Sequence, residues 1–275
     1  MTRSRISRIV TALVGVSALA LSGATVADAA PAKDKAPSFK KFERSTYQDT
    51  DGQYLVNGDE PISSTHSLRT FYRQVFDKPG KTNRHKVRGL VVNTVAGADD
   101  RWSAGQAQNL TYCVSTAFDA DHDAIVAAMA EGAGLWESAS SGVNFTYVPS
   151  ADSNCVTSNN SVLFPVEPVQ TSQYIARAFF PSSGDFERNV LVDDSIFFSG
   201  WSPGNVLGHE LGHALGFRHE HTRPEAGACF EDYSWRPLTP YDSASIMHYP
   251  QCNGSSADLT FSATDGTGVR ALYGP

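Results

Sequence analysis

Thirteen consecutive residues, His209 to His221, read His-Glu-Leu-Gly-His-Ala-Leu-Gly-Phe-Arg-His-Glu-His and constrain the fold more than any other stretch. His209 and His213 stand four apart, about one helical turn, so both imidazoles leave the same helix face. Two neutral imidazoles at that spacing can grip one divalent cation, and zinc is the usual occupant of an all-nitrogen site. Glu210 is turned aside from the ligand line, which suits a general base better than a ligand. Gly216 is expected to end the helix in a left-handed conformation and turn the chain back, so that His219 approaches as a third ligand. Three protein ligands leave a fourth position open for water, as in catalytic sites.

His209, Glu210, His213, Gly216 and His219 resemble the extended zinc motif of the metzincin metalloproteases. Glu220 and Arg223 resemble the astacin branch, and Ser245-Ile246-Met247-His248-Tyr249 is similar to the astacin form of the Met-turn. The resemblance implies a metzincin-type zincin fold of the α/β (α+β) class. Its parts would be a mixed twisted sheet with an edge strand over the cleft, a zinc-binding helix, a Met-turn and a C-terminal helix. It also implies one catalytic Zn2+ on His209, His213 and His219, with Met247 as the floor beneath. Tyr249 would be a detachable further ligand that swings onto the transition-state oxyanion; matrixins use a similar turn without that ligand, and this point stays open. Glu220 either binds the mature N-terminal amine, as in astacins, or is a structural ion-pair partner. Two departures point to a bacterial-type astacin-like or matrixin-like relative. Glu225 and Ala226 stand where astacins continue with aspartate and arginine, and only 27 residues separate His219 from Met247.

The implied activity is that of a secreted zinc endopeptidase, acting on protein or peptide substrates as a monomer. Glu210 takes the proton of the attacking water and delivers it to the leaving amine. One rival is a secreted binding module with structural zinc, which would need neither Glu210 nor Tyr249. Another is a hydrolase of cell-wall peptides.

Residues 1–30 read as a signal peptide. Arg3, Arg5 and Arg8 precede an apolar run from Ile9 to Leu21, and Ala27-Asp28-Ala29 offers a cleavage site. Export to the extracellular space is expected. No later stretch reaches the ~20 apolar residues of a membrane span. Cys113, Cys155, Cys229 and Cys252 are an even set in a chain expected to be oxidised, and three pairings are possible. Cys113 with Cys155 and Cys229 with Cys252 is the favoured set, because each pair would brace one side of the histidine helix. A net charge of −7, with no basic patch beyond the first residues and the linker, argues against nucleic acid and anionic membranes as partners. Ca2+ at Asp119-Ala120-Asp121-His122-Asp123 is conceivable, but these carboxylates suit helix capping better.

Residues 31–99 are expected to form a prosegment and linker. Ala32 to Arg44 is lysine-rich and expected to be mobile. Tyr54 to Pro61 reads as a short strand entering a turn, and Ser67 to Phe76 has helical apolar spacing. The absence of cysteine excludes a cysteine switch. Astacin prosegments place the aspartate of a Phe-x-Gly-Asp element on the zinc, and Val56-Asn57-Gly58-Asp59 matches its last two residues. Asp59 is thus either a latency residue or part of an ordinary Asn-Gly-Asp turn. A catalytic domain is expected over 100–275, enough for one core. Strands are expected at Leu110–Val114, Phe145–Val148, Ile175–Pro181 and Val190–Phe198. Helices are expected from Asp121 or Asp123 to Trp136, from Ser202-Pro203 through the histidines, and from Ser262 to Tyr273.

Overall fold

The computed structural model describes residues 36–76 and 90–275, and the expected signal peptide lies outside them. The N-terminal piece begins with α1 (Phe39–Ser45), where the Ser38 side chain accepts from the Lys41 N–H. The stretch expected to be mobile is therefore helical from Phe39 onward. Phe39 and Phe42 give it rings to pack on Phe71, Tyr72 and Phe76 of a later helix. A hairpin follows, β1 (Tyr54–Val56) antiparallel to β2 (Glu60–Ile62). Its turn places Asn57 and Gly58 at φ 56° and 103°, the positive values that a tight hairpin demands. The later helix is α2 (Thr65–Phe76).

Next come β3 (Val91–Val95), β4 (Ala98–Asp99) and a single helical turn, α3 (Ala104–Ala107). β3 precedes the boundary expected near residue 100. Even so, it is stitched into the C-terminal body, pairing with β10 (Trp235–Pro237) on one side and β4 on the other.

The main sheet has five strands in the order β6-β5-β7-β9-β8: β5 (Leu110–Val114), β6 (Phe145–Tyr147), β7 (Phe164–Val169), β8 (Ala176–Arg177) and β9 (Val190–Asp193). All neighbours are parallel except β8, which runs antiparallel at the edge. β7 was not expected. Pro165 and Pro168 argue against a central strand from sequence, yet β7 lies between β5 and β9 with Phe164 and Val166 buried. Two expected strands are shorter in the structure. Ile175–Pro181 pairs only at Ala176–Arg177, and Val190–Phe198 stops at Asp193, whose side chain caps a 3-10 turn over Asp194–Phe197.

Helix α4 (His122–Glu137) packs against α5 (Pro203–Ala214), and α6 (Ala263–Tyr273) closes the chain. Asp121 and Ser202 occupy the expected cap positions of α4 and α5 but make no side-chain cap bond. The Ser202 N–H instead donates to Asp258. The expected start of α6 has a full capping box between Ser262 and Asp265. Trp136 of α4 donates its ring N–H to the Gly208 carbonyl at 2.8 Å and stacks on Phe217.

Cys113 bonds to Cys155 and Cys229 to Cys252. The second bridge ties the stretch after the histidine turn to the stretch after the expected Met-turn. The first does not brace the histidine helix: it sits with Ala151 and Val162 in a separate cluster beside β5.

Candidate metal centre

Helix α5 carries His209 and His213 on one face, and both side chains are buried. The helix ends at Ala214, and Gly216 follows at φ +94°. A Cβ at Gly216 would lie 2.0 Å from the Asp100 carbonyl oxygen, so glycine is required twice over, for conformation and for space. The turn is clamped to β3: Asn93 donates its N–H to the Gly216 carbonyl, and Arg218 donates to the Val91 carbonyl. His219 emerges opposite α5, with its Nε2 3.2 Å from that of His209.

Asp59, just past the hairpin turn, enters this centre from the N-terminal piece. Its carboxylate lies 3.3 Å from His209 Nε2, 3.4 Å from His213 Nε2 and 3.2 Å from His219 Nε2. The Tyr249 hydroxyl donates to the same carboxylate. Asp59, His209, His213 and His219 form a buried set whose ligand atoms all lie within 4.8 Å of one another.

The outer ring nitrogens show what this set fits. His209 Nδ1 is 2.7 Å from the Ile246 carbonyl, His213 Nδ1 is 2.8 Å from the Phe217 carbonyl, and His219 Nδ1 is 2.6 Å from Glu231. Each of those partners is an acceptor, so each Nδ1 carries the hydrogen, and each Nε2 is left to face the centre. Two ring nitrogens facing each other at 3.2 Å need a proton or a metal ion between them. Buried His213 Nε2 and Asp59 Oδ1 also lack hydrogen-bond partners. Three imidazole lone pairs and a carboxylate are the donor set of a divalent metal ion.

Glu210 is buried, and its Oε2 has no partner. Burial, with the Asp59 charge adding to it, raises its carboxyl well above the ordinary range, while His219 and Arg177 pull the other way. Tyr249 stacks on His209, and burial followed by the Asp59 charge keeps its hydroxyl protonated. Met247 is fully buried beneath α5, and a Cβ at Gly212 would strike its sulfur at 2.4 Å. Glu220 pairs with Arg223 at 3.1 Å and accepts from the Asp242 N–H, and its other oxygen has no partner. Burial pushes its carboxyl up to about 8. His122 pairs with Asp152 away from the centre, and His248 meets Tyr241.

Two supporting residues escaped the sequence reading. Glu231 orients His219 and also meets Arg218 at 2.9 Å. Burial alone would raise its carboxyl, but the His219 and Arg218 charges hold it well below the usual range. Asp265 accepts from the Ser245 hydroxyl at 2.5 Å and the Ile246 N–H at 2.9 Å, fixing the turn that presents Met247. No motif spacing links either residue to the histidines.

No family model matches the chain. Among curated proteins, a bone morphogenetic protein 1 homolog of Strongylocentrotus purpuratus is 29% identical over 127 residues, 38% of this chain and 18% of that protein. Zinc metalloproteinase nas-30 of Caenorhabditis elegans is 31% identical over 93 residues, 26% of this chain and 13% of that protein. The chain thus spans less than a fifth of the length of these relatives. No helix among the described residues is long and apolar enough to cross a membrane. The mixed α/β architecture, the buried three-histidine and aspartate cluster on its helix, and distant protease relatives support a zincin-like fold and, in general terms, a metal-dependent hydrolase.

Proposed function

We propose that this chain is an exported zinc-dependent endopeptidase of the metzincin, astacin-like kind, kept latent by its N-terminal piece. The observation that carries the reading is the convergence of three imidazole Nε2 atoms beside a buried carboxyl group, Glu210, whose Oε2 has no partner. His209, His213 and His219 would hold the ion. Zinc bound there supplies Lewis acidity toward a water and a peptide carbonyl. Glu210 accepts the proton of the attacking water and passes it to the leaving amine. The protonated Tyr249 hydroxyl donates to the carbonyl oxygen as negative charge develops there.

Asp59 accounts for latency in two ways. Its carboxylate fills the position that a water would need, and its charge adds to the burial that raises the Glu210 carboxyl and weakens it as an acceptor of the water proton. Departure of the hairpin removes both obstacles.

The test is digestion of casein by the exported, processed protein beside its Glu210→Gln variant, with zinc measured in both. Activity in the wild type only, with about one zinc per chain in each, supports the reading. Zinc in both and hydrolysis in neither refutes it. Asp59→Ala in the unprocessed chain should release casein hydrolysis before any processing. Latency unchanged by that substitution removes Asp59 from the account.

A further inference from the structure

The parallel strands of the main sheet end in a crevice away from the metal centre. β6 and β7 flank β5 on opposite sides, so the connections leaving β5 and β7 diverge. Open α/β sheets take up ligands outside the carboxyl ends of their strands at such a point. A cavity of about 190 Å³ lies there. Its walls are Ala117, Phe118 and Asp121 after β5, Pro168 to Gln170 at the end of β7, and Asp194 and Phe197 after β9. Buried Ile125, Val192 and Ile196 line it from the core. Asp193, also in the wall, donates its N–H to the Ile175 carbonyl, and its side chain accepts from the Thr171 N–H. The wall is thereby tied to the approach to β8, whereas the chain leaving the other end of β8 carries Phe180 to His213. Cavity and metal centre thus stand at opposite ends of β8, and no described residue of the N-terminal piece lines the cavity.

Volume, exposure and charge together define what fits. Small-molecule pockets run from ~300 Å³ upward, so this smaller space suits a single large side chain. Phe198, next to Phe197, is 83% exposed, and an exposed aromatic beside an apolar recess marks a contact surface. Asp121 and Asp194 edge the recess, with Asp119 and Asp123 beside Asp121 in the chain, and all four are exposed. Among the described residues only Asp123 of these four has an ion-pair partner, His122. No lysine or arginine occurs between Arg101 and Arg177. Residues 90–275 carry 21 acidic side chains against seven arginines and no lysine. Five of those arginines are already paired with carboxylates. The recess therefore lies in a field of one sign, which draws in a cationic chain and turns away an anionic one.

We infer that this recess is a docking surface for a basic segment of another protein. One apolar side chain of the segment enters the cavity against Phe118 and Phe197, and flanking lysines or arginines meet Asp121 and Asp194. The inference goes beyond the endopeptidase reading and does not rest on it. Because the described N-terminal piece leaves the recess uncovered, the latent chain binds as the processed one does.

The test measures binding of short fluorescent peptides with amidated ends to the full, unprocessed chain by anisotropy. One peptide has a central phenylalanine flanked by lysines. A second has glycine in place of the phenylalanine, and a third has glutamates in place of the lysines. The first should bind at least tenfold more tightly than either other. Equal binding of the phenylalanine and glycine peptides, or saturable binding by none, overturns the inference. Ala117→Trp, at an exposed wall position, fills the recess and should abolish binding. Asp121→Asn with Asp194→Asn should weaken it at least fivefold, and less at high salt. Asp121 makes no side-chain cap bond, and an unchanged melting temperature checks each fold. Phe198→Ser should weaken binding, whereas Phe186→Ser, at a phenylalanine 74% exposed elsewhere, should leave it unchanged. Binding indifferent to Ala117→Trp, or equally sensitive to the two phenylalanine changes, overturns the assignment. A dimer in sedimentation that Ala117→Trp abolishes, with no peptide bound, makes a second copy the occupant and overturns it too.

Discussion

Each histidine of the centre is held by an acceptor on its far nitrogen, and those acceptors come from three different places in the chain. The spacing of His209 and His213 is visible in sequence because it follows from helical geometry. The Ile246 and Phe217 carbonyls and the Glu231 carboxylate are not visible, because no local rule links them to the rings they orient. His221 shows what such burial does to a histidine outside the cluster. It stacks on His219, and burial first, then the His219 charge, pushes it down to about 4. Its folded pKa lies below the unfolded value, so its contribution to stability is complete above about pH 6.5 and is lost as pH falls toward 4. The shift is worth about 3 kcal/mol at most. In metal-free protein, the urea midpoint should fall between pH 7 and pH 5, and His221→Gln should flatten that decline. An identical slope in the variant assigns the acid sensitivity to other groups.

Helices α4 and α5 meet through glycine, which is how the histidine helix comes to lie so close to its neighbour. A Cβ at Gly132 would sit 2.6 Å from the Gly208 backbone nitrogen, and backbone cannot yield as a side chain can. Gly132→Ala should therefore destabilise the fold by about 1–3 kcal/mol, read as a lower urea midpoint with an unchanged slope. A midpoint within error of wild type would show that the helices separate freely. The sequence revealed α5 through Ser202-Pro203 and α6 through the run from Ser262 to Tyr273. It concealed β7, where two prolines sit in a strand flanked on both sides. It also hid α1, where lysines mask the two phenylalanines that dock on α2. Local propensity decides exposed helix ends, whereas packing decides whether a weak segment becomes a strand.

At the scale of the whole molecule, Cys113–Cys155 reinforces a stretch that the β5–β6 pairing already closes, whereas Cys229–Cys252 ties two stretches outside the main sheet. Cys113–Cys155 closes a loop of 42 residues and Cys229–Cys252 one of 23. Chain-entropy arguments give about 4 and about 3.5 kcal/mol for them. Paired Cys→Ser variants should lower unfolding free energy by those amounts, with Cys229→Ser, Cys252→Ser also lowering metal affinity, because that bridge secures the stretches flanking His219 and Tyr249. Metal affinity equal to wild type would confine that bridge to a global role. The sequence by itself determined the paired histidines, the turn at Gly216 and the neighbouring glutamate, because helical period and glycine's conformational freedom are local properties. Only the tertiary structure decided that Asp59 reaches the three imidazoles from 150 residues upstream of His209, that β3 clamps the turn bearing His219, and that Asp49 and Asp51 cover Arg177. Those contacts join segments distant in the chain, and only burial and charge pairing in the folded molecule bring them together.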